Sequence, residues 1–164
     1  MANPIPQQTP QSYLKTITTI HLVLVAGQVL FGMAVLSITW EKGIDLHNTN
    51  DPFLFVVPVF AILALAGSAL VFKKLVATAV SKYTLKEKLM AYQGALIARF
   101  ALLQGASMFA IVVNMLTGNL LYLLTAGILT LCLLLVRPTK DKIENDLNLS
   151  YEDKMQFDSS EPLK

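Results

Sequence analysis

The stretch PFLFVVPVFAILALAGSALVF, residues 52–72, carries no charged side chain and a single hydroxyl, and its reading decides the fold. An α-helix rises about 1.5 Å per residue, so roughly 20 predominantly apolar residues cross the ~30 Å hydrocarbon core of a bilayer. Residues 52–72 meet that requirement. Three further runs, Ile17–Ile38, Ala91–Leu116 and Leu120–Val136, repeat or approach it without one Asp or Glu. Of the 164 residues, 54% are hydrophobic and 15% are charged, against about 25% charged in an ordinary soluble domain. Little chain is left for a soluble core. The expectation is an all-α protein with a membrane-spanning four-helix bundle over residues 13–136. A flexible cytoplasmic tail (1–12) precedes it and an acidic cytoplasmic tail (137–164) follows.

The chain opens with MANPIPQQTPQS, which lacks the basic region and small-residue cleavage site of a secretory signal. The first apolar run is therefore expected to remain as a helix. Cys132 is the only cysteine, which excludes an intramolecular disulfide and a cysteine-based metal cluster. The net charge of +2 is no nucleic-acid signature, and no nucleic-acid partner is expected; the basic residues fall at membrane edges instead.

Positive charge marks the cytoplasmic side of a membrane protein. Between runs two and three stand Lys73, Lys74, Lys82, Lys86 and Lys88 against Glu87 alone. Between runs one and two, Glu41, Asp45 and Asp51 outnumber Lys42, while Lys15 precedes run one and Arg137, Lys140 and Lys142 follow run four. The expected placement is an inner membrane, with both termini and the central loop in the cytoplasm. The five central lysines set that topology first, and are also candidate contacts for anionic lipid.

Helix limits are written in the capping residues. Thr9-Pro10 starts helix 1, with a cap residue before a proline at the first helical position. Thr84-x-x-Glu87 is a capping box for helix 3. From there to Leu116 is about 48 Å of helix, so its first turns, like the end of helix 2, are expected to project beyond the bilayer. Thr117-Gly118-Asn119 leaves room only for a tight turn, so helices 3 and 4 form one antiparallel hairpin and helices 1 and 2 the other. Pro58 removes a backbone bond within helix 2 and is a candidate kink. Leu24-Val25-Ala26-Gly27 with Phe31 and Val35 matches Leu102-Leu103-Gln104-Gly105 with Phe109 and Val113, which suggests an internal duplication.

Small residues let membrane helices approach closely. Ala64/Ser68, Gly94/Ala98, Ala101/Gly105 and Ala106/Ala110, with Gly27 and Gly32 on helix 1, are the expected packing positions. The polar residues inside the runs form the candidate site: His21, Gln28, Arg99, Gln104 and Asn114. Intramembrane ionisable groups are costly and are functional candidates by default. Anchoring and local hydrogen bonding are the plainer reading of His21 and Arg99, and a shared pocket the sharper one. Two potential cations cannot neutralise each other, so Arg99 calls for a carboxylate or phosphate from a lipid, a tail, a ligand or another subunit. Gln28 on helix 1, and Gln104, Ser107 and Asn114 on helix 3, lie on polar stripes that could bond across the bundle. Trp40 and Tyr122 fall where an interfacial aromatic belt is expected.

No nucleophile elbow, phosphate loop or metal-spaced histidine pair occurs, so no catalytic residue, metal site or cofactor is expected. His47 with Asp45 and Asp51 is a weak metal candidate, more simply a solvated loop. In the acidic tail, Ile143 and Leu147 mark a short amphipathic helix at the surface or against the helix ends. Ser150-x-x-Asp153 caps another turn, and the last residues are expected to be disordered.

In outline, two hairpins in this length resemble a duplicated proteolipid c subunit of a rotary ATPase. That family's mid-membrane carboxylate is missing here, where Ala64, Gly67, Thr130 and Cys132 stand instead. Leu103–Phe109, Leu116–Asn119, Arg137-Pro138-Thr139 and Asp146-Leu147 resemble a set of uncharacterised small bacterial membrane proteins, which implies an inner membrane and no particular activity. The function expected is that of a non-enzymatic structural or accessory subunit. Its partners would be the lipid bilayer and further copies or other membrane subunits. The alternative is a small transporter or channel with a polar interior between helices 1 and 3.

Overall fold

The computed structural model describes residues 9–45, 51–159 and 161–163. Among them the regular structure is helical: α1 Pro10–Thr39, α2 Phe53–Val80, α3 Leu85–Thr117, α4 Leu120–Leu135, α5 Lys140–Asp146 and α6 Tyr151–Asp158, with a 3₁₀ turn at Trp40–Lys42. The helices from Pro10, Phe53 and Leu85 are each long and apolar enough to cross a membrane. A fourth span results if α4 and α5 are taken as one span bent by 80°.

The starts follow the caps. Thr9, Thr84, Asn119, Thr139 and Ser150 each accept a bond from a backbone amide of their own first turn. The Thr84–Glu87 box is closed in both directions. Helix α3 ends at Gly118, whose φ of 77° suits glycine. A side chain there would also run into Lys42. Helix α2 continues through Pro58 without interruption. Helix α4 stops three residues before Pro138, which cannot continue a helix.

Helix α3 is the organiser: it packs on α2, on α4 and on α1, whereas α1 and α2 barely touch each other. The seam between α2, α3 and α4 is made of small side chains, Ala61, Ala64 and Ala106, closed by Leu129. Ser68 and Ala110 are buried in line with it. Gly32 sits in ordinary contact with Ile111 and Leu123. Gly27, Ala101 and Gly105, by contrast, are exposed, and a Cβ at either glycine would meet open space.

At the basic end the acidic tail folds back onto the helices. Ile143, Leu147, Leu149, Phe157 and Leu163 join Tyr13, Leu89 and Tyr92 in one buried cluster. The expected amphipathic pair, Ile143 and Leu147, is fully buried, and Leu163 near the end of the tail is buried with them. The physical reason is that α2 and α3 project an apolar surface at this end, and the tail covers it. Tyr122, expected in an aromatic belt, is buried instead, because its hydroxyl donates to Asp51 Oδ2 at 2.6 Å. Trp40 does stand exposed at the end of α1.

Candidate functional site

The polar residues of the spans are gathered into separate knots. Near the basic end, His21 is buried and its Nε2 lies 2.8 Å from the Leu133 carbonyl. A carbonyl only accepts, so Nε2 carries the proton. Leu133 belongs to the last turn of α4, where its carbonyl already accepts the Val136 amide in a tightened 3.3 Å closing bond and has a second lone pair to offer. His21 thus caps α4 from α1, and Lys142 does the same for the Leu135 and Arg137 carbonyls at 3.0 and 3.2 Å. The His21 ring rests on Phe100 at 5.1 Å.

Arg99 turns the other way, toward α2, with its guanidinium 4.7 Å over the Phe72 ring. The two ionisable residues are not brought into one pocket. Arg99 interacts with Asp146 of the tail and with Tyr92, and Tyr92 donates to Asp146 Oδ2 at 2.7 Å. The tail thus brings a carboxylate into the electrostatic neighbourhood of the arginine, without a direct ion pair among the described residues. The Nε of Arg99 is buried without a partner among the described residues. Of the five lysines, Lys73, Lys74, Lys82 and Lys86 are exposed. Lys88 is engaged by Asp153 at 2.6 Å, a second tie from α3 to the tail.

Farther into the spans, Gln28 of α1 donates from Nε2 to both Ser107 Oγ of α3 and Thr130 Oγ1 of α4. Those two hydroxyls each donate to the Ala126 carbonyl, at 3.0 and 2.8 Å. Each hydroxyl has one proton, already given to Ala126, so what faces them must be the amide nitrogen. The assignment leaves Gln28 Oε1 buried with no donor among the described residues. An orphaned buried acceptor costs about 1–3 kcal/mol. Gln104 Nε2 lies 3.5 Å from the Leu24 carbonyl, and its Oε1 is likewise unmatched.

At the far end, Thr39 donates to Asn114 Oδ1 at 3.0 Å, and Asn114 Nδ2 to the Asn119 carbonyl at 2.8 Å. Asn119 Nδ2 donates to the Asp45 carbonyl at 2.6 Å, tying the loop after α1 to the α3–α4 turn. His47 lies outside the described residues. Among the described residues no group of three or more His, Cys, Asp or Glu side chains is placed to hold a metal ion.

Two hollows stand out. One, about 470 Å³, lies at this far end between Lys42, Asp45, Asp51 and Asn119. The other is a groove of about 640 Å³ along α1 and α4, with Gln28 and Thr130 in a wall otherwise apolar. Sequence reasoning picked out His21, Gln28, Arg99, Gln104 and Asn114 but missed Thr130, Thr39, Tyr92 and Asp146. A hydroxyl in an apolar run and an acid in a tail are weak signals until the helices are placed side by side. No protein family, curated protein or solved structure compared with the chain matches it.

Proposed function

We propose that the chain is a multi-pass inner-membrane protein whose four long helices form a bundle of two antiparallel hairpins, with both termini cytoplasmic. It serves there as a non-catalytic structural or accessory subunit that binds a second copy or another membrane subunit side by side. The lysine-rich end and the acidic loop after α1 support the orientation. The observation that carries the assembly is the outward face of α3. Gly94, Ala101 and Gly105 are exposed along it, with half-buried Ala98 beside them. Helices α1 and α2, which barely touch, do not close over these residues. Lipid tails gain nothing from a smooth, small-residue surface, whereas another helix packs closely on one. The competing reading, a polar conduit between α1 and α3, has less support, since Gln28 is spent on Ser107 and Thr130.

The test is cross-linking in native membranes of a chain with Cys132 changed to Ser and Ala101 changed to Cys. The expected result is a covalent adduct to a second copy or to one other protein. A single-chain product, together with a strictly monomeric mass in gentle detergent, overturns the proposal.

A further inference from the structure

We infer that the junction of α2 and α3 at Arg99 binds the phosphate of an anionic phospholipid at the basic end of the spans. The site rests on the helices crossing a bilayer and is independent of any assembly with another subunit. Arg99 is half-buried, and a guanidinium carries five N–H donors and no acceptor. Among the described residues none of those donors meets a hydrogen-bond acceptor or an ion-pair partner. Nε is enclosed, whereas the two terminal nitrogens keep contact with the surroundings and are the ones a ligand reaches. The near neighbours leave the fork unfilled. The Phe72 ring, 4.7 Å from the guanidinium carbon, attracts the charge but offers the N–H groups no lone pair. Tyr92 gives its proton to Asp146, and Asp146 acts on Arg99 through its charge alone.

The depth is that of the lipid phosphates. Phe72 is the last residue of the uncharged run of α2, and Lys73 and Lys74 follow it, both exposed. On the other side, His21 touches both Phe100, next to Arg99, and Leu133 in the last turn of α4, so α4 ends at this level too. Side chains lean toward the N-terminus of their own helix. Arg99 on α3 therefore leans toward the basic end, while Lys73 and Lys74 on the antiparallel α2 lean back toward Phe72. Three cations converge on one level, and Asp146, the one acid acting on Arg99, offsets one of them. A phosphate matches the planar fork with two oxygens and the excess positive charge with its own. A free anion would have to leave bulk water for this apolar boundary, whereas a lipid phosphate already stands there. Leu102, three residues beyond Arg99 on the same side of α3 and exposed, gives an acyl chain its bed.

The test is native mass spectrometry of the full-length protein, delipidated in detergent and titrated with dioleoyl phosphatidylglycerol. Dioleoyl phosphatidylcholine and inorganic phosphate serve as parallel probes. The expected result is one phosphatidylglycerol held about tenfold more tightly than phosphatidylcholine, whose choline meets the two lysines, whether the protein flies as one copy or several. Arg99→Gln should weaken phosphatidylglycerol about tenfold. Arg99→Lys, which keeps the charge and loses the fork, and the exposed double change Lys73→Gln with Lys74→Gln should each weaken it about threefold. Lys82→Gln with Lys86→Gln, the same loss of charge placed at the α2–α3 turn, should leave it unchanged. Equal retention of the two lipids by the wild type overturns the inference in favour of unselective annular lipid. Retention that survives both changes at Arg99 and falls with Lys82→Gln and Lys86→Gln overturns the location in favour of diffuse attraction by the lysines. Displacement of phosphatidylglycerol by millimolar inorganic phosphate overturns the lipid as the source of the anion.

Discussion

The N-terminal end of α3 and its middle are held by different physics. At its N-terminal end the core consists of large side chains, Tyr13, Leu89, Tyr92 and Phe100, closed over by Ile143, Leu147 and Phe157 of the tail. In its middle the same helix meets α2 and α4 through Ala61, Ala64 and Ala106, and α1 through the Gln28–Ser107 bond, before a second bulky cluster of Val35, Val57, Ile111 and Tyr122 closes the far end. Where water is the alternative solvent, burying bulk is favourable at about 25 cal/mol per Å². Where lipid is the alternative, burying Leu rather than leaving it exposed gains almost nothing, and close backbone approach with hydrogen bonds holds the helices together. One helix crosses from the first regime to the second within its own length.

That contrast can be broken most sharply at Phe157, which is 3% exposed at the basic end. Phe157→Ala should cost about 3–5 kcal/mol locally, releasing the tail. Hydrogen exchange should then show α5 and α6 losing protection while the amides of α2 and α4 are unchanged; equal loss in both regions would merge the two regimes. Ala106, 2% exposed within the small-residue seam, tests the other side. Ala106→Leu adds bulk where only closeness stabilises and should cost about 1–3 kcal/mol, read as a lower thermal unfolding midpoint in detergent. A higher midpoint would mean that bulk stabilises there too.

Ser107→Ala should have a smaller effect, near 0.6 kcal/mol, the average for a hydrogen bond between membrane helices. A loss of several kcal/mol on thermal unfolding would show that the Gln28 knot is a keystone. The smallest effect is expected at Lys140, whose pKa is raised above its ordinary 10.5, chiefly by its hydrogen bond to Asp158. A base raised on folding contributes fully below its unfolded pKa and loses that contribution as pH rises through the folded one. The α5–α6 contact should therefore be indifferent to pH near neutrality and loosen only above the ordinary lysine range. A spin label at Asn145 would report this, and a mobility change between pH 6 and 8 would contradict it.

Much of this architecture can be read from the residues, and the limit has a physical cause. Caps are local, so Thr9, the Thr84–Glu87 box and Gly118 mark helix limits from sequence alone. Helix faces are another matter. Ala106/Ala110 and Ala101/Gly105 have the same spacing, yet the first pair is buried and the second exposed. In a span both lipid and protein are apolar, so periodicity cannot say which small face the chain itself fills. The surroundings of Arg99 are equally hidden: Asp146 comes into its neighbourhood only because the chain bends by 80° after α4. Tyr122 illustrates the same limit, since its burial depends on Asp51, which is 71 positions away.

The 16 residues of α4 span only about 24 Å at 1.5 Å per residue, short of a ~30 Å hydrocarbon core. Beside it α3 runs for 33 residues. On the four-span reading proposed above, a bilayer around this chain is thinner along one flank than along the other, drawn in toward Asn119 and toward Lys142. On that reading the protein imposes a one-sided dimple on its surroundings. Neighbours with short hydrophobic stretches, and lipids with short tails, would gather on that flank at least elastic cost.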